Sequence, residues 1–154
     1  MRIILTALIL SFALAAGTLK VSAEELKPLA KLNLNMDDLT DLSYVALRCS
    51  ALYASQYKVV PNSDATTQKL RQVAKNLHKV FFMVAGQAAM GARGNNAELS
   101  DAITSTIGNR IISIAESYSA SMERNYRQSE SYFDGELVSS DSRTCGMISQ
   151  KLRK

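Results

Sequence analysis

One histidine, His78, and two cysteines, Cys49 and Cys145, bound the nucleophilic and metal chemistry open to this chain. A serine-type triad needs a histidine beside a presented hydroxyl, and no Gly-x-Ser-x-Gly turn accompanies His78. With Lys75 and Lys79 for neighbours, at the margin of an apolar helical face, His78 reads as a surface or packing residue. Zinc needs clustered Cys or His ligands, and positions 49, 78 and 145 are far apart in sequence. Asp134-Gly135-Glu136 is too sparse for a calcium loop. Haem would have to be held through His78 and a methionine, without a Cys-x-x-Cys-His attachment, whereas Met83, Met90 and Met122 read as core filler. The glycines from Gly86 to Gly94 approach phosphate-loop spacing, but Ala92-Arg93 stand where Lys and Ser or Thr are required. Asp37 and Asp41 share a helical face at four-residue spacing and suit the positive end of a helix dipole. No catalytic residue, cofactor or metal is therefore expected.

The cysteines read differently once the amino terminus is considered. Met1-Arg2, an apolar run from Ile3 to Ala16 and the small-residue stretch Val21-Ser22-Ala23 follow the order of a cleavable export signal, with the cut before Glu24. The apolar run is shorter than the ~20 residues a bilayer span requires. In an exported protein a pair of cysteines is most simply one internal disulfide, Cys49–Cys145. Closing a loop of roughly 100 residues is worth about 4–5 kcal/mol in the chain-entropy picture. Loss of residues 1–23 removes Arg2 and Lys20 and no acid, so the formal charge falls from +4 to +2. The remaining charges are interspersed, and nucleic acid is not expected as a partner. A short leader without any Asn-x-Ser/Thr sequon points to a bacterial periplasm.

The mature chain is long enough for one domain with a substantial core. Residues 24–35 read as a mobile arm and 36–154 as a single helical domain. From Met36 to Tyr57, Leu39, Leu42, Ala46, Cys49 and Tyr53 recur at helical spacing, with Asn35 as the expected N-cap. Val45, Leu47 and Leu52 lie off that stripe, which predicts a central helix. Pro61 breaks the chain, and Ser63 or Asp64 can cap a second helix over 65–90 with Leu70, Val73, Ala74, Leu77, Phe81, Val84 and Ala88 facing inward. A third helix runs from Ala97 to about Tyr126, or on to Tyr132, with a stripe of Ile103, Ile107, Ile111, Ile114, Tyr118 and Met122. After the Asp134-Gly135 turn, a short fourth helix over 140–152 turns Cys145, Ile148 and Leu152 inward. Short connections favour antiparallel neighbours, giving an all-α bundle of three long helices and one short one.

The stretch Val80 to Ala85 is apolar on every side of its helix. Burial in the bundle centre is the simpler expectation, and display to a partner is the other. Phe82 and Met83, with the aromatics Tyr126, Tyr132 and Phe133, are the candidate partner surface. The function expected is an exported interaction module, an adaptor, inhibitor or chaperone-like binder, acting on another envelope or extracellular protein. Carriage of a small apolar ligand in a cavity lined by Phe81, Met83, Tyr118 and Met122 is the alternative, and an enzyme built on His78 the remote one.

Overall fold

The computed structural model describes residues 26–94 and 101–152. The expected leader, residues 1–23, lies outside them. The chain is all-α, with helices α1 (Leu39–Val59), α2 (Ala65–Ala92), α3 (Asp101–Ser129) and α4 (Glu136–Lys151), preceded by a 3-10 turn at Leu29–Lys31. The four helices form the expected bundle, and Cys49 and Cys145 are joined.

Local chemistry sets each helix boundary. α1 is capped by Asp38, whose carboxylate accepts the backbone N–H groups of Thr40 (2.7 Å) and Asp41 (3.1 Å). Asn35, the expected cap, instead accepts from the Asp37 N–H in the turn before. Two backbone donors satisfied by one side chain outweigh the weaker signal upstream, so the helix starts three residues later than Met36. α2 opens on a capping box in which Asp64 accepts from Thr66 and Thr67 while Thr67 accepts from the Asp64 N–H. It ends before Gly94, which adopts φ +67. α4 starts a full turn before the expected Ser140, because Gly135 is extended enough to be its N-cap and accepts from the Ser139 N–H. Val138 is thereby a fully buried helical residue in register with Asp141 and Cys145.

α1 is central. Every residue from Val45 to Tyr53 is buried, and α1 packs against each of the other three helices. α2 and α3 flank it and touch one another only lightly. Phe81, Tyr118, Met122 and Leu52 are fully enclosed, with Tyr53 stacked on Phe81 at 5.8 Å between ring centroids.

Three expectations about facing are corrected. Leu70 and Val73 do not belong to the inner face of α2; they are 50% and 42% exposed. The first half of α2 meets α1 along the line of Ala74, Leu77 and Phe81, and that narrow seam leaves Leu70 and Val73 beside it. Leu152 is likewise exposed, at the very end of α4. The segment from Leu26 to Asn35 is docked on the bundle where a mobile arm was expected. Leu29 is buried in the core, and Leu26, Leu32 and Leu34 pack partly against it.

Candidate functional site

Beneath that docked segment lies a polar cluster that the sequence pattern conceals. Arg48 of α1 and Asp141 of α4 are both completely buried and form an ion pair. The Arg48 guanidinium also donates to the Tyr118 hydroxyl (2.8 Å), the Tyr44 hydroxyl (3.1 Å) and the Lys27 carbonyl (3.0 Å). Asp141 accepts in addition from the Leu29 N–H (2.6 Å) and from the Tyr118 hydroxyl. Burial opposes the charge on Arg48, but Tyr118 and Asp141 outweigh it and hold the guanidinium above its ordinary range. Burial is also the first cause that drives the Tyr118 phenol well above its usual range, so Tyr118 stays a neutral donor. No buried side-chain nitrogen or oxygen among the described residues lacks a partner. The cluster is a closed strap that binds the amino-terminal segment, α1, α3 and α4 together.

The disulfide lies beside it. Cys49 follows Arg48 in sequence, and Cys145 stands one helical turn after Asp141. Both cysteines are fully buried, their Cα atoms 5.5 Å apart across 96 residues of chain. Burial of both sulfurs keeps thiols from reaching them in the folded protein, which suits a structural bond. A disulfide is compatible with an extracytoplasmic location.

His78 is half-buried, its Nδ1 2.9 Å from the Ser50 Oγ and 3.1 Å from the Ser50 carbonyl oxygen. A carbonyl can only accept, so that contact places the hydrogen on Nδ1. The Ser50 hydroxyl donates back to the His78 carbonyl at 3.1 Å. Ser50 is fully buried, and its one proton is committed. The pair clips α2 to α1 and presents no hydroxyl to a substrate. Among the described residues, no group of three His, Cys, Asp or Glu side chains is placed to hold a metal ion.

The five residues expected to form a partner surface fall into two groups. Phe82 and Met83 line an open groove of about 450 Å³ on the outside of α2, together with His78 and Lys79. Met83 is 49% exposed and Phe82 half-buried, so the apolar stretch is divided between core and surface; Phe81 and Ala85 take the buried places. Tyr126 and Tyr132 stack at 4.5 Å, with Phe133 edge-on to Tyr132, where the end of α3 meets the turn into α4. Those three rings mainly serve one another. The four residues named for a carrier cavity do not share a lining, since Phe81, Tyr118 and Met122 are sealed in the core and Met83 faces out.

Sequence reasoning missed the wider surface to which Met83 belongs. Leu70, Val73 and Val80 recur at three and seven residues, so they share one side of α2, and Met83 continues it. Each of the four is at least 40% exposed. α2 itself contains Lys69, Arg71, Lys75 and Lys79 and no acidic residue. Arg71 is committed to Tyr57 and the Val60 carbonyl, and Lys75 lies over the same ring. Lys69 and Lys79 have no carboxylate partner among the described residues. No helix of the described residues is long and apolar enough to cross a membrane. Comparison of the chain with protein-family models, with curated proteins and with solved structures gave no match.

Proposed function

We propose that the protein is an exported binding module, and that the outward side of α2 is the surface with which it holds an acidic, amphipathic protein partner in the periplasm or outside the cell. One observation carries this reading. Four large apolar side chains, Leu70, Val73, Val80 and Met83, stand exposed along a single helix that has four Lys or Arg residues and no acid. Contiguous exposed apolar surface marks interaction sites in soluble proteins, and a cationic border favours a partner of opposite charge. The helix-in-groove mode of recognition uses anchors repeating every three, four or seven residues, and these four side chains stand three, seven and three residues apart. The buried strap and disulfide hold α1, α3 and α4 as the scaffold against which α2 presents that surface.

The test is site-specific photocrosslinking in the host from which the chain is exported. Probes at Val73, Val80 and Met83 should give a common adduct that a probe at Ile112 does not, although Ile112 is 59% exposed. The partner so identified should lose affinity for a V80E/M83E variant that melts like the parent chain. Equal adducts at Ile112, or undiminished affinity of the variant, would remove the basis for the reading.

A further inference from the structure

A second concavity lies elsewhere on the molecule. The first turns of α1, the end of α2 and the first half of α3 border an open cleft of about 490 Å³. That volume is within the ~300–1,000 Å³ typical of small-molecule sites. Ala89 and Ala92 give it room by presenting only methyl groups, and Arg93 and Arg110 stand in its wall. Neither arginine has a carboxylate within ion-pair distance among the described residues, although three ion pairs form elsewhere. Guanidinium groups left open in one concave site are a fork for an oxyanion.

The other polar residues refine the choice of ligand. The Tyr44 hydroxyl accepts from the fully charged Arg48, and its own proton has no acceptor among the described residues. Ser43 already donates its proton to the Ala85 carbonyl and has none to give an anion. Asp41 holds the Asn35 N–H at 2.8 Å through one carboxylate oxygen, which leaves the other able to accept. The cleft therefore presents two cationic groups and one anionic group at separate places on its lining. From this arrangement we infer that the cleft binds a small organic oxyanion, and best one that also carries an ammonium group for Asp41. The arginines take the oxyanion, and the start of α1 adds the positive end of its dipole.

Nuclear magnetic resonance titration of the oxidised, isotope-labelled chain tests this with inorganic phosphate, succinate and glutamate, and with sodium chloride as the ionic-strength control. Saturable shifts confined to the amides around Thr40, Tyr44, Arg93 and Arg110 are expected with glutamate first. R93Q/R110Q should weaken every oxyanion by about tenfold or more, the scale of one lost charge-assisted hydrogen bond, and leave melting unchanged because both side chains are exposed. D41N should weaken glutamate while strengthening phosphate and succinate, because it removes the ammonium partner and a repelling charge together. Phosphate or succinate binding better than glutamate in the parent chain would overturn the assignment of Asp41. Shifts reproduced by sodium chloride, or retained in R93Q/R110Q, would overturn the site itself.

Discussion

Asp141→Ala is the sharpest perturbation of this fold. The carboxylate takes a hydrogen bond from the Leu29 N–H at 2.6 Å, another from the Tyr118 hydroxyl, and the charge of Arg48, all without solvent. Removing it leaves a guanidinium buried with two phenols and one carbonyl, groups that accept hydrogen bonds but carry no charge. Breaking a buried pair from one side costs about 3–5 kcal/mol, out of a total stability of about 5–15 kcal/mol for an ordinary domain. With a urea slope of about 2 kcal/mol/M, the midpoint should fall by roughly 2 M. Arg48→Met alone should cost a similar amount, because it strands Asp141 instead. The combined variant R48M/D141L/Y118F removes both charges and the hydroxyl between them, leaving the Leu29 N–H and the Lys27 carbonyl as orphans. It should recover a large part of the loss and be about 2–3 kcal/mol more stable than the D141A and R48M costs added together would give. Urea unfolding of the oxidised chain followed by circular dichroism reads all three. If D141A lies within about 1 kcal/mol of the parent chain, or if the single effects simply add, the strap does not hold the amino-terminal segment as described.

Replacing Cys49 and Cys145 together by alanine should cost about 2–5 kcal/mol in the same assay, and the native disulfide should resist reductant until denaturant opens the core. Core and surface on α2 should separate cleanly: Phe81→Ala, at a fully enclosed ring, should cost about 3–5 kcal/mol, whereas Met83→Ala should change stability by only about 0.5 kcal/mol. The caps make stability depend on pH in a defined direction. Backbone N–H groups, chiefly of Asp41 for Asp38 and of Thr67 for Asp64, hold both carboxyls below their ordinary 3.8. A carboxyl with a depressed folded-state pKa contributes above the unfolded value and loses that contribution as pH falls through the folded one. Thermal melts should therefore drop below about pH 4, and less steeply in D38N/D64N, where neither cap can titrate; an identical pH profile for that variant would show that the caps contribute nothing to the acid limb.

How much of this was legible in the sequence depends on what carries the signal. Helix type and order follow from apolar periodicity and strong punctuation, as Pro61, Asp64 and Gly135 show. The disulfide follows from counting cysteines once export is assumed. Facing was less legible, because Leu70 and Val73 satisfy the spacing of an inner stripe and only the narrow seam against α1 leaves them outside. The strap was invisible, since Arg48 and Asp141 are 93 residues apart and nothing local distinguishes a buried charge from a solvated one. Its only trace was indirect: Arg48 interrupts a run that is otherwise apolar or small from Val45 to Leu52. An arginine in the middle of a helix apolar on all sides has to be paired or to break the packing. Residues 24–35 read as an arm for a related reason. Their leucines follow neither helical nor strand period, because a segment laid across a bundle is matched to the surface beneath it.

The strap and the disulfide act on the same elements, and this divides the molecule unequally. Arg48 and Cys49 are consecutive on α1, and Asp141 and Cys145 are one turn apart on α4, so a covalent bond and a buried charge pair join those helices side by side. The amino-terminal segment is tied into the same cluster through Lys27 and Leu29, and α3 through Tyr118. α2 has no share in it. Its links to α1 are apolar packing, the His78–Ser50 clip, the Ser43 hydrogen bond to the Ala85 carbonyl, and the Arg71 and Lys75 contacts with Tyr57 and the Val60 carbonyl. The first half of α2 buries only Ala74 and Leu77. The helix with the largest exposed apolar side is thus the one that shares neither the buried charge cluster nor the disulfide. A surface that must adapt to a partner is better placed there than on α1 or α4, where any adjustment would disturb a buried charge.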